Sequence, residues 1–135
     1  MGRTQRRLER VLKGLGEFVL AVERNVIDEV AVEVVTKTPV DTGYARGNWT
    51  PGINSPPLSA VTTLDPAAVA SPAKISSLAK LLRLGDTFFI TNNADYIELL
   101  NMGYSPQAAS QFVRRAVSAG VDRGVNKSTS LRIRR

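Results

Sequence analysis

The chain contains no cysteine and no histidine. The first absence removes disulfides, thiolate nucleophiles and cysteine metal sites. The second removes the commonest general base and the commonest metal ligand. A carboxylate-only active site would need clustered acids, and the 12 Asp and Glu residues are dispersed without a recognisable motif. The sequence therefore offers no recognisable catalytic constellation and no cysteine or histidine metal site, and an enzyme is a remote expectation. Long apolar runs are missing as well. No stretch of about 18 apolar residues occurs, so no membrane span is expected. Arg3, Arg6 and Arg7 precede an amphipathic segment with no small-residue cleavage site. A secretory signal is not expected on that ground, and the expected compartment is the cytoplasm.

What is present suits one domain of modest size. Of 135 residues 43% are apolar, enough for a real core, and the charged fraction of 22% argues against global disorder. The net charge of +6 is unevenly spread. Residues 1–37 hold seven basic and six acidic side chains, residues 38–92 four and three, and residues 93–135 seven and three. The excess sits in the last third, where a clustered positive charge can meet phosphate or an acidic protein surface.

From about residue 4 to residue 36 the pattern predicts one long helix. Leu8, Leu12, Leu15, Val19, Val22, Val26, Val30 and Val34 recur at spacings of three and four, with charged residues mostly elsewhere. Such a helix would be roughly 50 Å long, more than a domain of this size can cover alone. Gly14 and Gly16 mark a place for a bend or break. Pro39 ends the helix. The dense turn signal of residues 39–43 comes next, in which Asp41 is expected to accept backbone N–H groups and Gly43 to take a positive φ. A short strand is expected over 47–53, carrying Trp49. Residues 54–72 hold four of the seven prolines and read as a loop that leaves the core. A helix over 73–84, a β-prone run over 87–91, a short helix over 94–102 and a helix opening at Ser105-Pro106 and running to about Val121 complete the pattern. From Asp122 the chain is polar and basic and is expected to be loose. The expected organisation is one domain over 1–122 with an extended loop at 54–72, and a basic tail over 123–135.

Two stretches carry more than periodicity. Residues 38–49 read TPVDTGYARGNW, and residues 89–117 read FITNNADYIELLNMGYSPQAASQFVRRAV. In order and spacing they resemble the tail-completion and head–tail joining (neck) proteins of tailed bacteriophages. The match falls on Thr38, Pro39, Asp41, Thr42, Gly43, Arg46 and Trp49, then on Asn92, Asn93, Ala94, Tyr96, Gly103, Ser105, Gln107 and Ala108. The chain departs from that family's pattern at Asn101-Met102-Gly103, where a glutamate-x-glycine is common, and at Ala109, where a proline is.

The resemblance implies an α+β fold, with a long N-terminal helix packed on a small antiparallel sheet and additional C-terminal helices. It further implies a structural virion protein without enzymatic activity or cofactor, located at the head–tail junction after assembly in the host cytoplasm. Its implied partners are copies of itself in a ring of six or twelve, portal or adaptor proteins, and tail terminator or tail tube proteins. Non-specific contact with genomic DNA in the channel is a further implication; contact with a membrane is not.

Individual residues carry competing readings. Pro39, Asp41, Thr42, Gly43 and Arg46 form a turn motif, read first as a connector between helix and strand. Trp49 suits a core position or an interface anchor. Tyr96, Tyr104 and Gln107 are interface candidates, with the tyrosines as half-buried packing residues otherwise. Arg123, Lys127, Arg132, Arg134 and Arg135 suit either a solvated terminus or contacts with the DNA channel or a protein neighbour. These five residues also support an alternative function, a small basic nucleic-acid-binding protein. No aromatic residue lies among them for base stacking, and no helix-turn-helix spacing accompanies them. A carboxylate enzyme is the third and remotest class.

Overall fold

The apolar repeat of the first third folds into one helix, α1 (Arg3–Lys37), of 35 residues. The computed structural model describes residues 2–131. The helix runs through Gly14 and Gly16 without the expected break. Two glycines cost only about 1 kcal/mol each in a helix interior. Gly14 is buried, and the Leu84 side chain lies 3.5 Å from where a Cβ on Gly16 would stand. At the other end Thr38 turns extended, and its hydroxyl donates to the Val34 carbonyl at 2.6 Å. Pro39 then forbids another helical turn.

A short helix α2 (Tyr44–Gly47) leads into strand β1 (Trp49–Ile53), and after helix α3 (Ala70–Ala79) the chain returns as strand β2 (Phe88–Asn92). The strands pair antiparallel, from Trp49 opposite Asn92 to Ile53 opposite Phe88, and form a two-stranded sheet. Helices α4 (Ile97–Asn101) and α5 (Phe112–Ser128) follow. The fold is thus α+β, a long N-terminal helix on a small antiparallel sheet with further helices, as the resemblance implied. The core gathers Ile27, Ala31, Val34 and Val35 of α1 with Trp49, Ile75, Ala79, Leu82 and Ala116. Trp49 is interior here, not an exposed anchor. Its indole N–H donates to the Thr38 hydroxyl at 2.8 Å, joining β1 to the end of α1.

Helix α5 lies antiparallel along α1. Its buried residues Phe112, Ala116, Gly120, Gly124 and Ser128 recur every fourth position. Four of the five are small, so the two backbones come close. A Cβ on Gly120 would stand 2.5 Å from the Val30 Cα, and one on Gly124 would stand 2.5 Å from the Val26 Cα. Arg123 pairs with Glu33 at 2.7 Å, Lys127 with Glu29 at 3.8 Å, and Asn25 donates to the Ser128 hydroxyl at 3.0 Å. These contacts correct the expectation that the helix ends near Val121 and the chain is loose beyond it. Gly124 and Ser128 extend the small-residue stripe, and the charges next to them meet acids of α1.

The start of α5 also differs from the expected Ser105-Pro106. Gln111 has φ +65°, which interrupts helix formation before Phe112. Asn101 caps the helix instead: its carbonyl accepts the Gln111 N–H at 2.7 Å and its Oδ1 the Val113 N–H at 3.1 Å.

Residues 54–69 are irregular but do not project from the core as expected. Asn48 holds Val61 at both backbone groups, with its Nδ2 donating to the carbonyl at 3.1 Å and its Oδ1 accepting the N–H at 2.8 Å. Asn93 donates to the Pro57 carbonyl at 3.0 Å. The Asp65 carboxylate, buried, accepts the N–H groups of Val69, Ala70 and Ser71 at 2.9–3.1 Å and so caps α3. Few apolar residues made this segment look detached. Polar side chains fasten it instead.

Candidate functional site

The turn after α1 is shaped by the loop that lies on it. Gly43 has φ +91°, as its sequence context predicts, and a Cβ there would stand 2.4 Å from the Pro66 nitrogen. One turn later, a Cβ on Gly47 would meet the Thr63 carbonyl oxygen at 1.9 Å. Arg46, between them, directs its whole guanidinium at backbone carbonyls: Nε to Thr38 at 2.9 Å, Nη2 to Thr36 at 3.0 Å and Nη1 to Pro66 at 2.5 Å. It thereby caps the C-terminus of α1, where a cation opposes the helix dipole, and ties it to the loop. Arg24 does the same for α3, donating to the carbonyls of Ala79, Lys80 and Leu82 at 3.1–3.2 Å. The turn's own side-chain hydrogen bond is accepted by the Thr42 hydroxyl from the Tyr44 N–H at 3.3 Å, not by Asp41, whose side chain is exposed.

The second motif folds against the first. Gln107 lies 67 positions beyond Val40, yet its Oε1 accepts the Val40 N–H at 2.8 Å and its Nε2 donates to the Val40 carbonyl at 2.9 Å. The side-chain amide thus takes both hydrogen bonds that a neighbouring strand would make. The loop that presents it turns at Gly103, with φ +95°. Between the two motifs lies a cleft of about 210 Å³, lined by Pro39, Asp41, Tyr44, Tyr96, Leu100 and Tyr104 among others. The rings of Tyr44 and Tyr96 are 6.0 Å apart and tilted by 34°, a separation typical of aromatic pairs.

Among the described residues, Asp41 is the one acidic residue that lines the cleft, and Lys37 and Arg115 line a neighbouring hollow that shares Gln107 with it. Tyr96, Leu99, Met102 and Tyr104 are exposed, Tyr104 at 74% of its area. Asp41, Asp95 and Glu98 are exposed too, and the chain has no Lys or Arg between Arg83 and Arg114. Burial raises the pKa of the Tyr96 phenol. The Ala45 backbone group works against that rise, while Tyr44 and the charges of Asp95 and Asp41 reinforce it. The phenol therefore stays protonated and neutral throughout the physiological range. Among the described residues no group of three or more acidic side chains is placed to hold a metal ion. The cleft offers the rings of Tyr44, Tyr96 and Tyr104, the aliphatic side chain of Leu100 and the carboxylate of Asp41.

Of the residues singled out in the sequence, Pro39, Asp41, Tyr96, Tyr104 and Gln107 converge on this cleft. Thr42, Gly43 and Arg46 shape and hold its first wall. Trp49 lies inside the core. Arg123 and Lys127 lie on α5 in ion pairs with Glu33 and Glu29, apart from the cleft. Arg132, Arg134 and Arg135 fall outside the described residues. Sequence reasoning missed Asn48, Asp65 and Asn101. An aspartate followed by proline ahead of a helical segment was the available signal for Asp65. The long reach of Asn48 and Asn101 left no local signal. No helix among the described residues is long and apolar enough to cross a membrane. No protein-family model, curated protein or solved structure matches the chain.

Proposed function

We propose that this chain is a structural protein of a tailed-bacteriophage virion. It forms a ring at the head–tail junction that joins or completes the tail and surrounds the DNA channel. The observation that carries this reading is the clamp of Gln107 on Val40. The two stretches on which the resemblance rests are far apart in sequence, and they build one surface. That surface offers aromatic and aliphatic contacts and no catalytic constellation, which suits a protein that acts by assembling. Its partners in this reading are further copies of the chain, in six or twelve, portal or adaptor proteins on the head side, and terminator or tube proteins on the tail side. No cofactor takes part.

A nucleic-acid-binding function would be served by unpaired cations. Of the C-terminal cations on which that alternative rests, Arg123 and Lys127 face Glu33 and Glu29, which weighs against the C-terminal helix as its binding surface. The test is a phage lacking the gene, examined by electron microscopy together with quantitative mass spectrometry of the parent virion. Filled heads and separate tails are expected from the mutant, and a copy number that is a multiple of six from the parent. Normal infectious particles without the protein would refute the proposal.

A further inference from the structure

The first turns of α1 carry two opposed surfaces. Leu8, Val11, Leu12 and Leu15 stand on one side, exposed at 56, 45, 57 and 44% of their area. At helical spacing Arg3, Arg6, Arg10 and Lys13 fall on the opposite side. Both sides are open to water, since residues 3–13 are exposed throughout. Arg3, Arg7, Arg10 and Lys13 form no ion pair with an acid among the described residues. The nearby acids are Glu9, off to one flank, and Glu17, one turn beyond Lys13 on the cationic side. The first turn holds no acid at all. A cation there opposes the helix dipole, so this charge does not serve the helix itself.

The body of the protein decides which side a large partner can reach. Leu8 and Val26 are 18 positions apart, as are Leu12 and Val30, about five turns, so they share a face. Helix α5 packs on Val26 and Val30 and therefore rises from the leucine side. A flat lipid surface laid on the leucines would meet α5 first, a helix about 10 Å thick. On the other side Arg6 and Arg24 share a face in the same way. Arg24 fastens the end of α3 and the residues after it. That segment exposes Lys80 and Arg83, the latter beside Asp86, and so continues the cationic side.

The geometry points to the cationic side of α1, with Arg3, Arg6, Arg10 and Lys13 continued by Lys80 and Arg83, as a binding face for the phosphate backbone of duplex DNA. Contacts to phosphate give affinity without reading sequence, so they need no aromatic residue and no recognition helix. From Arg3 to Lys13 the row spans about 15 Å, comparable to a major groove about 12 Å wide. Long side chains on it reach phosphates at both edges. Cations already in ion pairs are poorer candidates: Arg123 and Lys127 would first have to leave Glu33 and Glu29. The inference deepens the ring reading by naming the side of the subunit turned to DNA, and it rests on that reading for its setting. Binding itself is tested without phage.

The probe is a labelled duplex of about 30 base pairs and arbitrary sequence, titrated with the full-length chain by fluorescence anisotropy between about 50 and 200 mM salt. A logarithmic salt slope of about −3 to −4 is expected, because each neutralised phosphate contributes about −0.9. Arg3→Gln/Arg10→Gln/Lys13→Gln should cut that slope by more than half and weaken binding at about 100 mM salt roughly tenfold. Its thermal midpoint should not fall, since glutamine is a good helix former and the opposed charges are gone. Should that variant fail to fold, Lys80→Gln/Arg83→Gln takes its place with a smaller loss expected. Deleting residues 132–135, or Leu8→Ser/Leu12→Ser, should change affinity far less. No binding at about 50 mM salt, binding that survives the glutamine substitutions, or binding lost with residues 132–135 instead would overturn the proposal. So would tighter binding to phosphatidylglycerol vesicles than to the duplex, abolished by Leu8→Ser/Leu12→Ser, which marks a lipid surface. Those results would leave a copy number of six or twelve in virions intact. Conversely, the expected DNA binding by a protein missing from virions would sink the neck reading and leave this face standing.

Discussion

The two halves of α1 share one apolar rhythm and meet opposite fates. In the second half Val26, Val30 and Val34 are covered by α5 and the core, with Gly120 and Gly124 letting the backbones approach until no Cβ fits between them. In the first half Leu8, Leu12 and Leu15 repeat at the same spacing and stay in water. Valine is the poorer helix former of the two, so packing, not propensity, stabilises the half that is buried. The exposed half, built on leucine, arginine and lysine, has the intrinsic preference to remain helical without a cover. An amphipathic stripe therefore says that a surface is made to be covered. What covers it is decided by where complementary small or oppositely charged residues stand.

This contrast can be broken most directly at the glycines. Gly120→Val forces atoms into the Val30 backbone and is expected to destabilise the isolated chain by about 3 kcal/mol, read from urea unfolding. Leu12→Ser, in the matching position of the other half, is expected to stay within about 0.5 kcal/mol of the parent. Equal losses from the two would mean that the start of α1 is already packed in the monomer.

Asp65 gives the next largest effect, and it tests how the loop is held on the body. Burial raises the pKa of this carboxyl, and the hydrogen bonds from Ser71, Val69 and Ala70 outweigh the rise, leaving it below its ordinary value. A carboxyl depressed in the folded state adds stability that is fully present above the unfolded value and is lost as pH falls through the folded one. Asp65→Ala is expected to cost about 2 kcal/mol at neutral pH. Asp65→Asn should flatten the loss of stability below about pH 4. An acid unfolding limb unchanged in Asp65→Asn would contradict this assignment.

Arg46→Lys sharpens the comparison at the buried end of α1. A single ammonium cannot reach three carbonyls arranged for a guanidinium, and a loss of about 1–2 kcal/mol is expected in thermal or urea unfolding. Gln107→Ala is the mildest of the series, with about 0.5–1 kcal/mol expected because the clamp is exposed to solvent. Its larger consequence should be for assembly, since the two walls of the cleft then lose their mutual register. A variant that incorporates into virions as well as the parent would remove the clamp from the functional argument.

The long helix was legible because its apolar repeat, from Leu8 to Val34, extends over about seven turns, and both strands were legible because β-branched and aromatic residues sit between turn residues. Gly43 was legible from the turn around it. The loop and the last helix were not. Prolines and small polar residues in 54–69 carry no local trace of Asn48, Asn93 and Asp65 holding the segment down. Gly120 and Gly124 look like weak points of a helix until Val30 and Val26 are placed against them. The cleft was half legible: Tyr96, Tyr104 and Gln107 stood out as interface residues, but their meeting with Pro39 and Asp41 depends on a hydrogen bond across 67 positions. Long-range polar contacts are where periodicity has nothing to report.

The most direct measurement is a cryo-EM reconstruction of the neck of the phage particle that the proposed function assigns to this protein. A closed ring of six or twelve copies around the DNA channel is predicted. A neck without density for this chain, or a single copy bound away from the channel, would contradict it.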